Sequence, residues 1–157
     1  MKLSRVFVIS FVLAVALVAV SDRAPTRAQS SDDVRATYVK HEYQIPMRDG
    51  VKLFTSVYVP KDTSQKYPIL LNRTPYSVAP YGPDKYKMTI GPSPQLQREG
   101  YIFVYQDVRG RWMSEGTYMD VRPHKPNKSG PTDIDESSDT YDTIEWLIHN
   151  QIGRAHV

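Results

Sequence analysis

The polar groups best suited to chemistry in this sequence follow one short apolar segment. Residues 101–105 (YIFVY) form a compact apolar and aromatic run, which is typical of a strand buried on both faces. A charged loop follows at once and contains Asp107, Arg109, Arg111, Ser114 and Glu115. Open α/β sheets present functional groups at the carboxyl ends of their strands. The same composition would suit a core strand followed by an ordinary solvated loop with no function. Residue type alone therefore assigns these side chains no chemical role.

A second polar group lies further along the chain. It consists of Asp133, Asp135, Glu136 and Asp139. Its spacing lacks the Asp-x-Asp-x-Asp-Gly order of a calcium loop, so we interpret it as the acidic start of a helix. The chain has no cysteine, which excludes a thiolate nucleophile, a disulfide and a cysteine zinc site. No metal site is therefore predicted.

The composition is that of an ordinary globular protein. The chain has 157 residues, of which 40% are hydrophobic and 24% charged, enough for one domain. The net charge of +3 comes from the two ends of the chain, which hold Lys2, Arg5, Arg23, Arg27 and Arg154. The rest of the sequence has no cluster of lysine and arginine, so nucleic acid is not a predicted partner.

The amino terminus has the pattern of a signal peptide. Lys2 and Arg5 precede an apolar run over residues 6–20, which is shorter than a usual membrane span. Small residues allow cleavage after Ser21 or after Ala28. An uncleaved membrane anchor is the alternative, but the short run and the loose polar segment behind it favour cleavage. We therefore predict a signal peptide over residues 1–28, export to the periplasm or the exterior, and a flexible lead-in over residues 29–37.

The elements that position the polar groups can be predicted from periodicity. Residues 38–47 and 51–59 alternate around an Arg48-Asp49-Gly50 turn, which indicates an antiparallel hairpin. Residues 68–72 (PILLN) form another buried strand, residues 95–99 the end of a short helix, and residues 101–105 the next strand. Residues 73–94 contain five prolines and three tyrosines, which indicates a long shaped loop.

The last predicted element is a helix over residues 133–150. Asp133 and Glu136 have the spacing of a capping box, and an apolar face follows at helical spacing, formed by Tyr141, Ile144, Leu147 and Ile148. Strands that alternate with longer connections and a helix, after an initial hairpin, predict an α/β sheet with an antiparallel edge.

Four segments, in this order, resemble one enzyme family. They are residues 47–53 (MRDGVKL), 67–76 (YPILLNRTPY), 100–118 (GYIFVYQDVRGRWMSEGTY) and 139–147 (DTYDTIEWL). Together they resemble the CocE/NonD serine hydrolases, which include X-Pro dipeptidyl-peptidases, cocaine esterase, α-amino acid ester hydrolases and glutaryl-7-aminocephalosporanic acid acylases. The pattern at Arg122-Pro123 and the signal peptide resemble the ester hydrolase and acylase branch. The resemblance covers residues 38–150.

The resemblance implies a fold and one site residue. The fold is the α/β-hydrolase fold, with residues 38–150 as its amino-terminal part. Tyr76 matches the tyrosine whose hydroxyl contributes to the oxyanion hole in related enzymes; a loop tyrosine that only packs its ring is the alternative. The implied substrate is an ester, an amide or a peptide, attacked through an acyl-enzyme. No metal or organic cofactor is implied.

The resemblance stops before the catalytic triad. The family carries its serine in a G-x-S-Y-x-G elbow, and the sequence contains no G-x-S-x-G. His41, His124 and His149 match no family position. Residues 151–157 (QIGRAHV) depart from the family and match the translation of a common sequencing adapter. We therefore predict a non-biological tail over residues 151–157, an inactive chain, and an uncovered strand at residues 101–105.

A second interpretation stays open. The chain would then be a non-catalytic, exported, β-rich binding module, with the proline- and tyrosine-rich loop of residues 73–94 as its contact surface. Aromatic side chains on a shaped loop are able to bind peptide or sugar.

Overall fold

The computed structural model describes residues 30–150 and 152. A sheet with three helices makes up their regular structure. The elements are α1 (Ser31–Thr37), β1 (Tyr38–Pro46), β2 (Lys52–Pro60), β3 (Ile69–Thr74), α2 (Pro94–Arg98), β4 (Ile102–Asp107) and α3 (Glu136–His149).

The predicted hairpin is confirmed. Strands β1 and β2 pair antiparallel from Tyr38 opposite Pro60 to Pro46 opposite Lys52. The turn is closed by hydrogen bonds from the amides of Met47 and Gly50, and Gly50 takes the left-handed φ of +85° that this turn requires.

The strand order is β1-β2-β4-β3. Strand β4 pairs antiparallel with β2 and parallel with β3, and five of its six residues are buried. The predicted burial on both faces is thus confirmed. The predicted uncovered strand at residues 101–105 is wrong, because β4 lies inside the sheet. Among the described residues, β3 forms the edge of the sheet on this side, because β4 lies between β2 and β3.

The sheet has a different core on each face. On one face, α3 packs over Ile45, Leu53, Val57 and Val104. On the other face, α1 and the long loop after β3 cover a second cluster, formed by Val34, Tyr38, Tyr58, Ile90 and Phe103. Burial of both faces explains why β4 is almost continuously apolar.

Ile152 belongs to the first core and is 8% exposed. It falls within residues 151–157, the segment predicted to be a non-biological tail; the other residues of that segment lie outside the described part. The origin of the segment stays a prediction.

Helix α1 occupies most of the segment predicted to be a flexible lead-in. Ser30 and Asp33 form a capping box, in which each side chain accepts the other residue's amide. Val34 is fully buried in the second core, so this apolar side chain anchors the short helix.

The signal peptide predicted for residues 1–28 lies outside the described residues. None of the helices in residues 30–150 is long and apolar enough to cross a membrane.

The N-cap of helix α3 lies two residues after Asp133, the predicted cap. Asp135 is the N-cap and forms a capping box with Ser138, whereas Asp133 accepts hydrogen bonds from the amides of Ser129 and Gly130. The predicted apolar face is only partly correct, because Tyr141 is 58% exposed.

The face that α3 buries is mostly polar. Its buried residues are Ser138, Asp139, Thr143 and Leu147. Asp139 and Thr143 are buried because they meet charged and polar partners on the sheet, which the apolar periodicity does not reveal.

Acid is expected to destabilise the chain partly through Asp135. Burial opposes ionisation of this carboxyl, but Lys128 and the backbone amides of Lys125 and Ser138 stabilise its charge and hold its pKa well below the usual value of 3.8. The stability it contributes is therefore present above pH 3.8 and is lost as the pH falls further.

We expect Asp135→Asn to lower the free energy of unfolding at pH 7 by about 1–3 kcal/mol. At pH 2 the free energies of unfolding of the variant and of the unsubstituted chain should differ by less than they do at pH 7. Urea unfolding at both pH values measures this, with the exposed Asp120→Asn as control. An unchanged difference at the two pH values would show that Asp135 has an ordinary pKa in the folded chain.

Candidate functional site

The candidate site lies where β3 and β4 end together. Thr74 pairs with Asp107 at the carboxyl ends of these parallel strands, and the loop after each strand begins there. We call the first loop, residues 75–93, the tyrosine loop, and the second, residues 108–118, the arginine loop. The backbone joins the two at once, because the Val108 amide donates to the Thr74 carbonyl over 3.2 Å.

Asp107 binds both loops to the end of β4. Its Oδ1 accepts the amide of Val78 at 3.0 Å, and its Oδ2 accepts the Tyr81 hydroxyl at 2.9 Å and the Met113 amide at 3.4 Å. The residue is fully buried, and burial raises the pKa of its carboxyl against the opposing effect of these donors. Asp107 therefore acts as an anchor for the surrounding loops.

The peptide unit between Pro75 and Tyr76 is held at both of its polar atoms. The Pro75 carbonyl accepts the Trp112 indole N–H at 2.9 Å and the Arg111 Nε–H at 3.2 Å. The Tyr76 amide donates to Thr74 Oγ1 over 3.1 Å. Because the proline ring also fixes φ at Pro75, the backbone that carries Tyr76 has little freedom.

Ser77 holds the other side of Tyr76. It takes a left-handed φ of +78°, which is uncommon for a residue with a Cβ atom. Its hydroxyl lies 2.9 Å from the Tyr81 hydroxyl, which in turn donates to Asp107. The tertiary contacts thus maintain a conformation that the chain alone disfavours.

Tyr76 itself points to solvent. Its side chain is 84% exposed, and its hydroxyl donates to no other residue in the part of the chain that the structure describes. The structure thus places the one predicted site residue at the carboxyl edge of the sheet, with an anchored backbone and an open hydroxyl.

The far part of the tyrosine loop is tied to β1. The buried Lys40 ammonium donates to Glu42 and to the carbonyls of Pro80, Gly82 and Lys85, all within 2.9 Å. Glu42 also accepts the Gly82 amide. This buried cation satisfies three loop carbonyls at once, so the loop is shaped by the sheet face beneath it.

The arginine loop is packed against β2 and α3. Arg109 is 3% exposed and bridges Asp49 and Asp139, each through two hydrogen bonds of 2.7–3.1 Å. Ser114 accepts the Phe54 amide and donates to the Asp107 carbonyl, and Glu115 accepts the Lys52 amide. These contacts explain the polar composition of the loop.

Gly110 allows the arginine loop to close on itself. It has a φ of +71°, and a Cβ atom there would lie 2.1 Å from the Tyr118 amide nitrogen. Only glycine fits this position without moving backbone.

The acidic group of residues 133–139 is occupied by structural partners. Asp135 caps α3, Glu136 pairs with Arg73, and Asp139 pairs with Arg109. No group of three or more His, Asp or Glu side chains within residues 30–150 is arranged to hold a metal ion.

Sequence reasoning did not identify the residues that support Tyr76. Trp112, Thr74 and Tyr81 carry no spacing signal of their own, and Trp112 lies 37 positions from the carbonyl that it binds. Arg111 and Asp107 lie in the charged loop that composition marks out, but their roles depend on the neighbouring loop.

Known proteins share this architecture. The family profile described as X-Pro dipeptidyl-peptidase (S15 family) matches residues 49–155. Cocaine esterase of Rhodococcus sp. (strain MB1 Bresler) is 32% identical over 115 residues, which cover 70% of this chain and 17% of the esterase.

Two solved structures are similar in fold and sequence. An aminopeptidase from a marine sediment Thaumarchaeota archaeon superimposes with a TM-score of 0.62 and 38% identity, over 86% of this chain and 22% of the aminopeptidase. An α-amino acid ester hydrolase superimposes with a TM-score of 0.61 and 35% identity, over 85% of this chain and 21% of the hydrolase. The chain thus spans about one fifth of the length of these relatives. These similarities confirm the α/β-hydrolase fold, and the chain belongs to the X-Pro dipeptidyl-peptidase (S15) family, the CocE/NonD group that its motifs predict.

Proposed function

We propose that this chain acts as the amino-terminal part of a serine hydrolase that cleaves ester or amide bonds through an acyl-enzyme, and that Tyr76 donates a hydrogen bond to the oxyanion. The observation that carries the proposal is the open Tyr76 hydroxyl on an anchored backbone at the carboxyl ends of β3 and β4. Family membership supports hydrolysis of esters or peptides.

The geometry suits the chemistry of acyl transfer. Attack on a carbonyl carbon places negative charge on the carbonyl oxygen, and a donor that is already oriented stabilises this charge without reorganising. Three residues fix the peptide unit of Tyr76, which defines the point from which its side chain reaches the substrate, and its hydroxyl stays available to donate.

The nucleophile, its base and the orienting acid belong to other parts of the complete enzyme. The printed sequence has no G-x-S-x-G elbow, and the part of this chain that matches covers only about one fifth of each relative. We expect the serine of such an elbow to attack the substrate carbonyl beside Tyr76, and water to release the acyl group afterwards.

The test is activity of the complete polypeptide against that of residues 30–150 alone. The complete polypeptide should react with a fluorophosphonate probe and hydrolyse p-nitrophenyl esters or X-Pro p-nitroanilides. Residues 30–150 alone should do neither. A complete polypeptide that neither labels nor hydrolyses would refute the proposal and favour the binding module based on residues 73–94.

Export is proposed on the basis of the amino-terminal sequence. Residues 1–28 have the charge and apolar pattern of a cleaved signal. Secretion in a bacterial host and amino-terminal sequencing of the mature protein test it: a new terminus after Ser21 or Ala28 is expected, and an intact Met1 in the cytosolic fraction would contradict it.

A further inference from the structure

We propose that Trp112, together with Arg111, is a positioning residue for Tyr76: the two side chains hold the Pro75 carbonyl and thereby set the direction of the Tyr76 hydroxyl. This inference rests on the proposed function, because it concerns the same oxyanion donor. It adds residues from the arginine loop to a site that the family motif places only in the tyrosine loop.

Three side chains contact the peptide unit between Pro75 and Tyr76. Trp112 Nε1 and Arg111 Nε both donate to the Pro75 oxygen, at 2.9 and 3.2 Å, and Thr74 Oγ1 accepts the Tyr76 amide. A carbonyl at the surface is ordinarily satisfied by water. Two side-chain donors there orient the peptide plane, which sets ψ of Pro75 and φ of Tyr76 together.

Trp112 has an uncommon backbone conformation. Its φ is +51°, in the left-handed region that bulky residues rarely adopt. Its ring is 60% exposed, so burial of the ring does not account for this conformation. The hydrogen bond to Pro75 is the contact that the conformation makes possible, and backbone of this kind concentrates at functional sites.

The two donors, Trp112 and Arg111, lie in a loop segment that is itself held in place. The Arg111 guanidinium lies 4.8 Å from the centre of the Tyr118 ring, and the following Met113 amide donates to Asp107. Asp107 also anchors Val78 and Tyr81 in the tyrosine loop. The loop that carries the two donors and the loop that carries the Pro75 carbonyl are therefore both bound to the Asp107 carboxylate. This shared contact fixes the position of one loop relative to the other.

The variant that tests the idea is Trp112→Phe in the complete hydrolase, because it removes the indole N–H and keeps an aromatic ring. We expect kcat to fall about 10- to 100-fold, as for a misplaced catalytic group, with KM changed by less than about two-fold. Met119→Leu is the matched control, since Met119 is half-exposed, lies just after the arginine loop and makes no hydrogen bond to Pro75.

A double-mutant cycle with Tyr76→Phe separates positioning from a general structural effect. Once the Tyr76 hydroxyl is gone, Trp112→Phe should lower kcat by less than about two-fold further. An equal loss in both backgrounds, or a wild-type kcat for Trp112→Phe, would overturn the inference. The melting temperature of Trp112→Phe should match that of Met119→Leu, because the Trp112 ring is mostly exposed.

Arg111→Met is the second variant and covers the case in which Trp112→Phe does not fold. It removes the other donor to Pro75 and should show the same dependence on Tyr76. If Tyr76→Phe alone leaves kcat unchanged, Tyr76 is not the oxyanion donor and the positioning inference falls with that assignment, whereas the hydrolase activity itself stands. If Tyr76→Phe lowers kcat while Trp112→Phe and Arg111→Met do not, only the positioning inference fails.

Discussion

Replacing Tyr76 by phenylalanine is expected to lower the kcat of the complete hydrolase by about 10²- to 10³-fold, the loss typical of one oxyanion-hole donor. The substitution removes a single hydroxyl from a side chain that is 84% exposed, so it removes no packing and leaves no buried polar group unpaired. The effect should therefore fall on kcat and kcat/KM together, because the lost hydrogen bond is made chiefly in the transition state.

The control for this prediction is Tyr141→Phe. Tyr141 is also an exposed tyrosine, 58% exposed on the outer face of α3, far along the chain from the tyrosine loop. Steady-state kinetics on a p-nitrophenyl ester should show wild-type values for Tyr141→Phe. A kcat within about two-fold of wild type for Tyr76→Phe would contradict the assignment of the oxyanion donor.

Replacing Arg109 by methionine is expected to lower the free energy of unfolding by about 3–5 kcal/mol, the loss typical of breaking a buried ion pair from one side. Burial opposes the charge on Arg109, but the hydrogen bonds that it donates to Asp139 and Asp49 raise its pKa above the ordinary value. Asp139 is buried, and without the Arg109 guanidinium its remaining ion-pair partner among the described residues is Arg73, at 3.7 Å.

The structural reason for so large an effect is the number of elements that Arg109 joins. It leaves the arginine loop after β4 and contacts the turn of the hairpin through Asp49 and helix α3 through Asp139. Its loss should loosen α3 from the sheet. The arginine loop that carries Arg111 and Trp112 would loosen with it.

Urea unfolding of residues 30–157, followed by far-UV circular dichroism, measures this loss. Arg48→Met is the matched control: Arg48 also makes several hydrogen bonds to a carboxylate, on Asp142, but its side chain is 29% exposed. The control should lose about 1 kcal/mol or less, as more exposed pairs do. Equal losses in the two variants would show that burial of Arg109 does not govern its contribution.

A polar network across the helical face of the sheet explains why α3 docks as it does. Gln106 on β4 donates to Thr55 on β2 and to Thr143 on α3, and it accepts from Arg73 on β3. Arg73 in turn donates to the Glu136 carbonyl, the Glu136 carboxylate and Thr140. These hydrogen bonds join β2, β3, β4 and α3, so they favour one position of the helix on the sheet.

Much of the local structure is determined by the sequence itself. The alternation of residues 38–47 and 51–59 around Asp49-Gly50 allows only a hairpin, since a period of two and a left-handed glycine suit no other element. The apolar run at residues 101–105 similarly requires a strand with both faces covered. The order of the motifs predicts the family and, through it, Tyr76.

The tertiary structure decided where these elements lie and what they support. Strand β4 lies inside the sheet and β3 at its edge, although both are short apolar runs with little to distinguish them locally. Helix α3 buries Asp139 and Thr143 in place of Tyr141 and Ile144, because Asp139 pairs with Arg109 in the arginine loop and Thr143 accepts a hydrogen bond from Gln106 on β4. Local periodicity contains no information on partners that come from other strands.

The residues around Tyr76 also separate into those that the sequence predicts and those that only the tertiary structure reveals. Its loop position follows from the motif, but the Pro75 carbonyl is held from Trp112, 37 positions away, and the loop carbonyls from Lys40, 40 or more positions away. Hydrogen bonds between residues so distant in the chain form only when the sheet has brought their strands together. The sequence therefore determines the elements and the candidate residue Tyr76, whereas the assembled sheet determines how the backbone that carries Tyr76 is held.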